Sequence, residues 1–140
     1  MAITLNSVLM DAGLDPTQVA LIRHKDNRAS KGRTPYELWL DHRKLFEGYQ
    51  SLQRISKRKI FSKPYWAIFI VDAFDDTMFA GIYSARYKGL LKRNRPAPHI
   101  EGDVIKKGSC DEYELRLDRK LNELIGRVFI DWGPGALAWA

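Results

Sequence analysis

Two β-rich runs separated by a short turn constrain this chain more than any other feature. Residues 65–71 (YWAIFIV) and 77–86 (TMFAGIYSAR) are rich in β-branched and aromatic side chains, and Ala73-Phe74-Asp75-Asp76 between them supplies a hairpin turn. Alternation in the first run places Trp66, Ile68 and Ile70 on one face and Tyr65, Ala67 and Phe69 on the other. A hairpin of this kind must bury at least one face, so the rest of the chain has to cover it.

The segments before the hairpin read mainly as helix. Leu5, Val8, Leu9 and Ala12 recur at helical spacing with Gly13 as a stop, which predicts a short helix over 5–12. Asp15-Pro16 is an N-cap and first-turn pair, 19–23 (VALIR) reads as a strand, and 24–33 is a polar loop without periodicity. Thr34, Pro35 and Glu37 spell a capping box with Pro in the first turn, opening a helical region to about residue 53 that Gly48 bends or weakens. Basic residues 54–63 lead to Pro64. After the hairpin, 88–108 is Pro/Gly/Lys-rich and irregular, 112–117 alternates as a strand, 118–121 is a short helical turn, and 125–132 is a last strand closed by Gly133-Pro134-Gly135. The expected architecture is α+β: N-terminal helices followed by a mostly antiparallel, curled β-sheet.

Length and residue usage narrow the function classes. At 140 residues the chain is expected to form a single domain. No apolar run approaches the ~20 residues of a membrane span, and MAITLNSVLMDAGLD lacks the pattern of a secretory signal. Cys110 is a lone cysteine, and His24, His42 and His99 are not paired with another His or Cys at ligand spacing. These features predict a cytoplasmic protein with no disulfide, metal, cofactor or membrane partner.

The net charge of +6 is unevenly spread. From residue 23 to 63 there are 12 Lys/Arg against 4 Asp/Glu, and from 86 to 107 there are 7 against 2. The intervening and terminal segments are net acidic. Blocks of this kind suit phosphate, and because they flank the first hairpin they place the expected binding face around it. In the loop after the first strand, Arg23, His24, Lys25, Arg28, Lys31 and Arg33 are candidate phosphate contacts, joined by Arg54, Lys57, Arg58 and Lys59. The competing reading is a solvated connector.

Base recognition needs aromatic faces beside polar groups. The larger aromatic set is Tyr36, Trp39, Tyr49, Tyr65, Trp66, Phe69, Phe79, Tyr83, Tyr87, Trp132 and Trp139, and most of it must be core. Tyr49, Trp66 and Trp132 are the candidate stacking rings, with Gln50, Ser51 and Asp131 placed to read a base edge. A carboxylate such as Asp131 accepts from the exocyclic amine of cytosine, or alternatively caps the following turn. Gly81-Ile82-Tyr83 matches the first half of the signature of GIY-YIG nucleases, but no second half follows at the required spacing. It reads as a strand with a glycine in it. No catalytic site is expected from it.

Six stretches together carry a wider resemblance: Leu21-Ile22-Arg23-His24, residues 34–39 (TPYELW), 46–53 (FEGYQSLQ), 65–69 (YWAIF), 79–83 (FAGIY) and 125–135 (IGRVFIDWGPG). They resemble the domain found ahead of the nuclease domain in bacterial GIY-YIG family proteins. The resemblance implies a reading domain truncated before a C-terminal catalytic domain. It also implies a fold similar to the PUA-like pseudo-barrels (SRA, EVE and ASCH domains) that read modified bases. The expected partners are double-stranded, modified DNA and a fused or associated nuclease. The leading expectation is thus a DNA-binding specificity domain of a restriction-type nuclease, with a modified cytosine flipped into an aromatic pocket. The alternatives are an RNA-binding PUA-like module, a self-contained metal-dependent nuclease using Tyr83, Arg86 and Glu112 or Glu114, and a protein-interaction domain with an incidental basic face.

Overall fold

The alternation at 65–71 survives folding, with each set of residues entering a different core. The computed structural model describes residues 3–24, 34–53, 55–74, 76–91, 110–126, 129–130 and 138–139. Its elements are β1 (Ile3–Thr4), α1 (Leu5–Asp11), β2 (Val19–His24), α2 (Pro35–Asp41), α3 (Arg43–Ser51), β3 (Leu52–Gln53), α4 (Arg58–Phe61), β4 (Tyr65–Val71), β5 (Thr77–Leu91), β6 (Cys110–Leu117), β7 (Phe129–Ile130) and β8 (Ala138–Trp139). The main sheet runs β2-β4-β5-β6-β3, with β7 added to β5. Only the β2–β4 pair among these is parallel. The result is α+β, with helices around a mostly antiparallel sheet curled into a half-barrel.

Both faces of β4 and of the first half of β5 are buried. On one, Trp66, Ile68, Ile70, Met78, Ala80 and Tyr83 pack under Leu38 and Trp39 of α2, Phe46 of α3 and Phe61 of α4. This is the helical face. On the other, Ala67, Phe69, Phe79 and Ile82 meet Leu9 of α1, Leu14 and Val19, with Leu121 and Leu124 closing over them. A sheet covered on both sides explains why the runs at 65–71 and 77–83 carry almost no polar residue.

The curl is built into β5 by two bulges. Ile68 pairs with Gly81 and Phe69 with Phe79, leaving Ala80 as an extra residue; Tyr87 pairs with Tyr113 and Gly89 with Glu112, leaving Lys88. Each bulge is followed by a glycine at positive φ, 132° at Gly81 and 143° at Gly89. Extra residues bend a strand and increase its twist. The first bulge also shifts the alternation: Met78 and Ala80 lie in one core and Phe79 in the other, yet beyond Gly81 it is Tyr83 that returns to the helical face. Gly81-Ile82-Tyr83 is therefore a buried stretch of bent strand.

Local signals fixed several boundaries. The capping box at Thr34 forms both its bonds, Glu37 N–H to Thr34 Oγ1 and Thr34 N–H to Glu37 Oε1, with Pro35 in the first turn. Asp15 caps the 3₁₀ turn Pro16–Gln18 by accepting from Thr17 N–H. Other expectations need correction. The long helix breaks at His42 (φ −142°, ψ 71°), not at Gly48, so that α2 and α3 reach the same core from two directions. The basic stretch after residue 54, to which the sequence assigned no element, forms a 3₁₀ turn and α4. β5 continues to Leu91, because pairing with β6 outweighs the weak strand preference of Lys88 and Gly89. The helical turn lies at Asn122–Leu124, and Ile125 is its C-cap; among the described residues after it, Phe129–Ile130 form β7.

Candidate nucleic-acid interface

The short segment around α4 combines a run of cations with one wall of an aromatic hollow. Lys57 precedes the helix, Arg58 and Lys59 open it, and Lys63 follows. Lys57, Lys59 and Lys63 form no ion pair with a carboxylate among the described residues. Arg58, Phe61 and Ser62 of the same segment line a cavity of about 320 Å³ together with Ala85, Tyr87 and Tyr113. Tyr87 is half exposed at its rim, and Trp66 backs it, 4.9 Å from the Tyr113 ring and 5.0 Å from Phe61. The hollow exists because β5 presents only Ala85 between Tyr83 and Tyr87 on this face, where a larger side chain would fill it.

One charged pair organises the cavity. Arg58 donates from Nε to Asp111 Oδ2 at 2.8 Å and from Nη2 to Oδ1 at 2.7 Å, a bidentate fork across 53 residues of sequence. The Tyr87 hydroxyl donates a third bond to Oδ1 at 3.1 Å. Asp111 has no exposed surface, while the Arg58 side chain is 52% exposed. The Arg58 bond holds the Asp111 carboxyl below its usual range against the opposing effect of burial, with Tyr87 assisting. Burial and then the bond to Asp111 push the Tyr87 phenol up. Burial, with the nearby Asp111 charge, also raises that of Tyr113. Arg58 is thus neutralised by Asp111. Its electrostatic attraction for phosphate is smaller than that of the lysines around it.

A second cavity of about 330 Å³ opens on the other side of Phe61, where Leu21, Ile22 and Arg23 of β2 approach Gln53, Lys57 and Ile60. Residues of the sheet's two edge strands, β2 and β3, line this cavity together because the sheet curls. Arg23, a candidate phosphate contact, lies at this seam with Lys57.

The candidate base-reading residues of α3 turn inward. Gln50 is 1% exposed and its Oε1 bonds His24, while its Nε2 meets no partner among the described residues. Ser51 is buried and donates to the Gly48 carbonyl. Tyr49 and Phe46 flank the His24 ring. Burial lowers the His24 pKa, with the Gln50 bond opposing, so that the imidazole is neutral near pH 7 and is not a cation for phosphate. Trp66 is fully buried between Phe61 and Tyr113, and as placed it offers no open face to a base. Lys25, Arg28, Lys31, Arg33, Arg54, Asp131 and Trp132 lie outside the described residues.

On the opposite face of β5 and β6 the charges cancel. Arg86 and Arg116 pair with Glu114, and Lys88 with Glu112. Tyr83 faces the other way and donates to Glu47 Oε2 at 2.8 Å. The groups considered for a self-contained nuclease are therefore split between the two sides of the sheet. The residues that sequence reasoning passed over are Phe61, Tyr113 and Asp111. The only local signal for them is the two-residue spacing of Asp111 and Tyr113, which puts both on one face of a strand. No protein-family model, curated protein or solved structure matches the chain.

Proposed function

We propose that this chain is a DNA-binding reading domain that grips the phosphate backbone through the α4 lysines and accepts an unpaired base in the hollow below. The cutting chemistry belongs to a separate nuclease domain, as the sequence resemblance implies. The observation that carries the reading is the arrangement at α4, where Lys57, Lys59 and Lys63 have no carboxylate partner among the described residues and are interspersed in sequence with Arg58, Phe61 and Ser62, which line a cavity together with Tyr87 and Tyr113. Cations available to phosphate provide sequence-independent affinity, and aromatic faces provide a surface on which bases stack. The paired charges of the opposite sheet face lack this combination.

The test is fluorescence anisotropy of a labelled DNA duplex across a salt series. Binding should weaken steeply with salt, and Lys57→Glu with Lys59→Glu should flatten the slope by roughly 0.9 for each phosphate the protein no longer neutralises. Affinity that is insensitive to salt would remove the DNA reading in favour of an incidental basic face. Tighter binding to RNA than to duplex DNA would transfer it to an RNA-binding module.

A further inference from the structure

We infer that the Arg58–Tyr87–Tyr113 hollow is a base-binding site selective for guanine, the base whose exposed edge offers two neighbouring acceptors. The inference rests on the nucleic-acid reading above and names which base the site takes. Its basis is a count of hydrogen-bonding groups. Arginine carries five N–H donors. Two of those on Arg58 are used by Asp111, and the remaining three meet no acceptor among the described residues, although Arg58 lines the cavity. Asp111 is fully buried and already accepts three bonds, from Arg58 Nε, Arg58 Nη2 and the Tyr87 hydroxyl. A ligand in the cavity therefore meets donors from Arg58 and cannot reach the carboxylate.

This chemistry discriminates between bases. Guanine presents O6 and N7 side by side, and the arginine fork is the commonest specific partner of that edge. The N4 amine of cytosine is a donor and is best matched by a carboxylate. Among the described residues, Asp111 is the carboxylate that bonds the lining, and Arg58 and Tyr87 have used it. A cytosine preference, expected from the sequence, would need an acceptor other than Asp111. Tyr87, half exposed, and Tyr113, 5.4 Å away at 65°, provide an aromatic corner rather than a parallel slot, so that one ring stacks on the base while the other meets its edge. At about 320 Å³ the cavity lies at the small end of the ~300–1,000 Å³ range of ligand sites. Fixing Arg58 on Asp111 before binding also removes the entropy cost of ordering a long side chain.

The experiment measures binding of the whole chain to short duplexes carrying one extrahelical guanine, adenine, cytosine or thymine, and to free dGMP and dCMP by calorimetry. The extrahelical guanine should bind at least about tenfold more tightly than cytosine, as expected for one good bidentate pairing. Ala85→Leu fills the hollow without touching Arg58 or Asp111. It should abolish this preference and leave salt-sensitive duplex binding in place, with the circular dichroism spectrum and unfolding midpoint confirming that the variant is folded. Arg58→Lys, which keeps the charge and removes the fork, should also reduce the preference. Equal affinity for all four extrahelical bases and for both mononucleotides would overturn the site. So would a guanine preference that survives Ala85→Leu. Selective dGMP binding with no salt-sensitive binding to any duplex would uphold the pocket and overturn the DNA reading instead.

Discussion

The two β5 bulges provide a matched pair of glycines on which the origin of the curl can be tested. Gly81 and Gly89 each follow a bulge residue and sit at φ 132° and 143°. Holding a residue with a Cβ in so sparsely populated a region costs about 1–3 kcal/mol. Reduced freedom of the unfolded chain offsets roughly 0.4–1 kcal/mol of that on replacing Gly by Ala. A Cβ at Gly89 would meet nothing within 4 Å, so Gly89→Ala should destabilise by about 1 kcal/mol through backbone strain alone. A Cβ at Gly81 would stand 2.9 Å from Leu117 Cδ1 and 3.4 Å from Ile125 Cδ1. Leu117 is 40% exposed and can swing aside, at an off-rotamer cost of about 0.5–1.5 kcal/mol. Gly81→Ala should therefore cost about 2 kcal/mol, roughly 1 kcal/mol more than its partner. Urea unfolding followed by tryptophan fluorescence measures both, with unchanged m-values expected. A neutral or stabilising Gly89→Ala would refute the claim that the bulge needs glycine's backbone. Equal costs at the two sites would refute the crowding at Gly81.

Two further outcomes follow from buried polar groups. Tyr83→Phe removes the hydroxyl that donates to Glu47 and should destabilise by about 1 kcal/mol, the usual cost of removing a hydrogen bond, with no change in DNA affinity; a fall in affinity would place Tyr83 in the interface. His24 has a folded pKa depressed by burial below its unfolded value of 6.5. Its contribution to stability is thus fully present above pH 6.5 and is lost as pH falls through the folded pKa, at no more than about 1.4 kcal/mol per pH unit. Unfolding free energies of wild type and His24→Asn between pH 8 and 5 should diverge below 6.5, with the variant the flatter; parallel curves would clear His24 of the effect.

The fold was legible wherever the signal was local. The strands at 65–71 and 112–117, the hairpin and the capping box at Thr34 each depend on residues a few positions apart, and each formed. What was missed depends on distant partners. Lys88 and Gly89 discourage a strand on their own, yet pairing with β6 carries β5 through them, and a bulge absorbs the mismatch. Leu52 and Gln53 ended a predicted helix, but they pair with Glu112 and Asp111 from the other side of the sheet. Trp66 illustrates the same limit for function. As an aromatic in a strand it was a candidate stacking ring, while Phe61 of α4 and Tyr113 of β6 enclose it on the helical face of the sheet.

The site itself shows why a basic run is read too evenly from sequence. Lys57, Arg58 and Lys59 look equivalent as three adjacent cations, and all three were natural candidates for phosphate. Helix phase separates them. Arg58 and Phe61, three residues apart, fall on one side of α4 and enter the hollow together. Lys59 belongs to the other side, and Lys63 follows beyond the helix. The partner that distinguishes Arg58 is a buried carboxylate 53 residues away, on a strand whose position depends on the bulges of its neighbour. Asp111 cancels the charge of Arg58 and keeps its geometry. The same pairing turns a diffuse electrostatic attraction into a fixed array of donors. The division of labour in the proposed interface follows from that step: lysines for the backbone, which need only charge, and one immobilised arginine for a base edge, which needs direction.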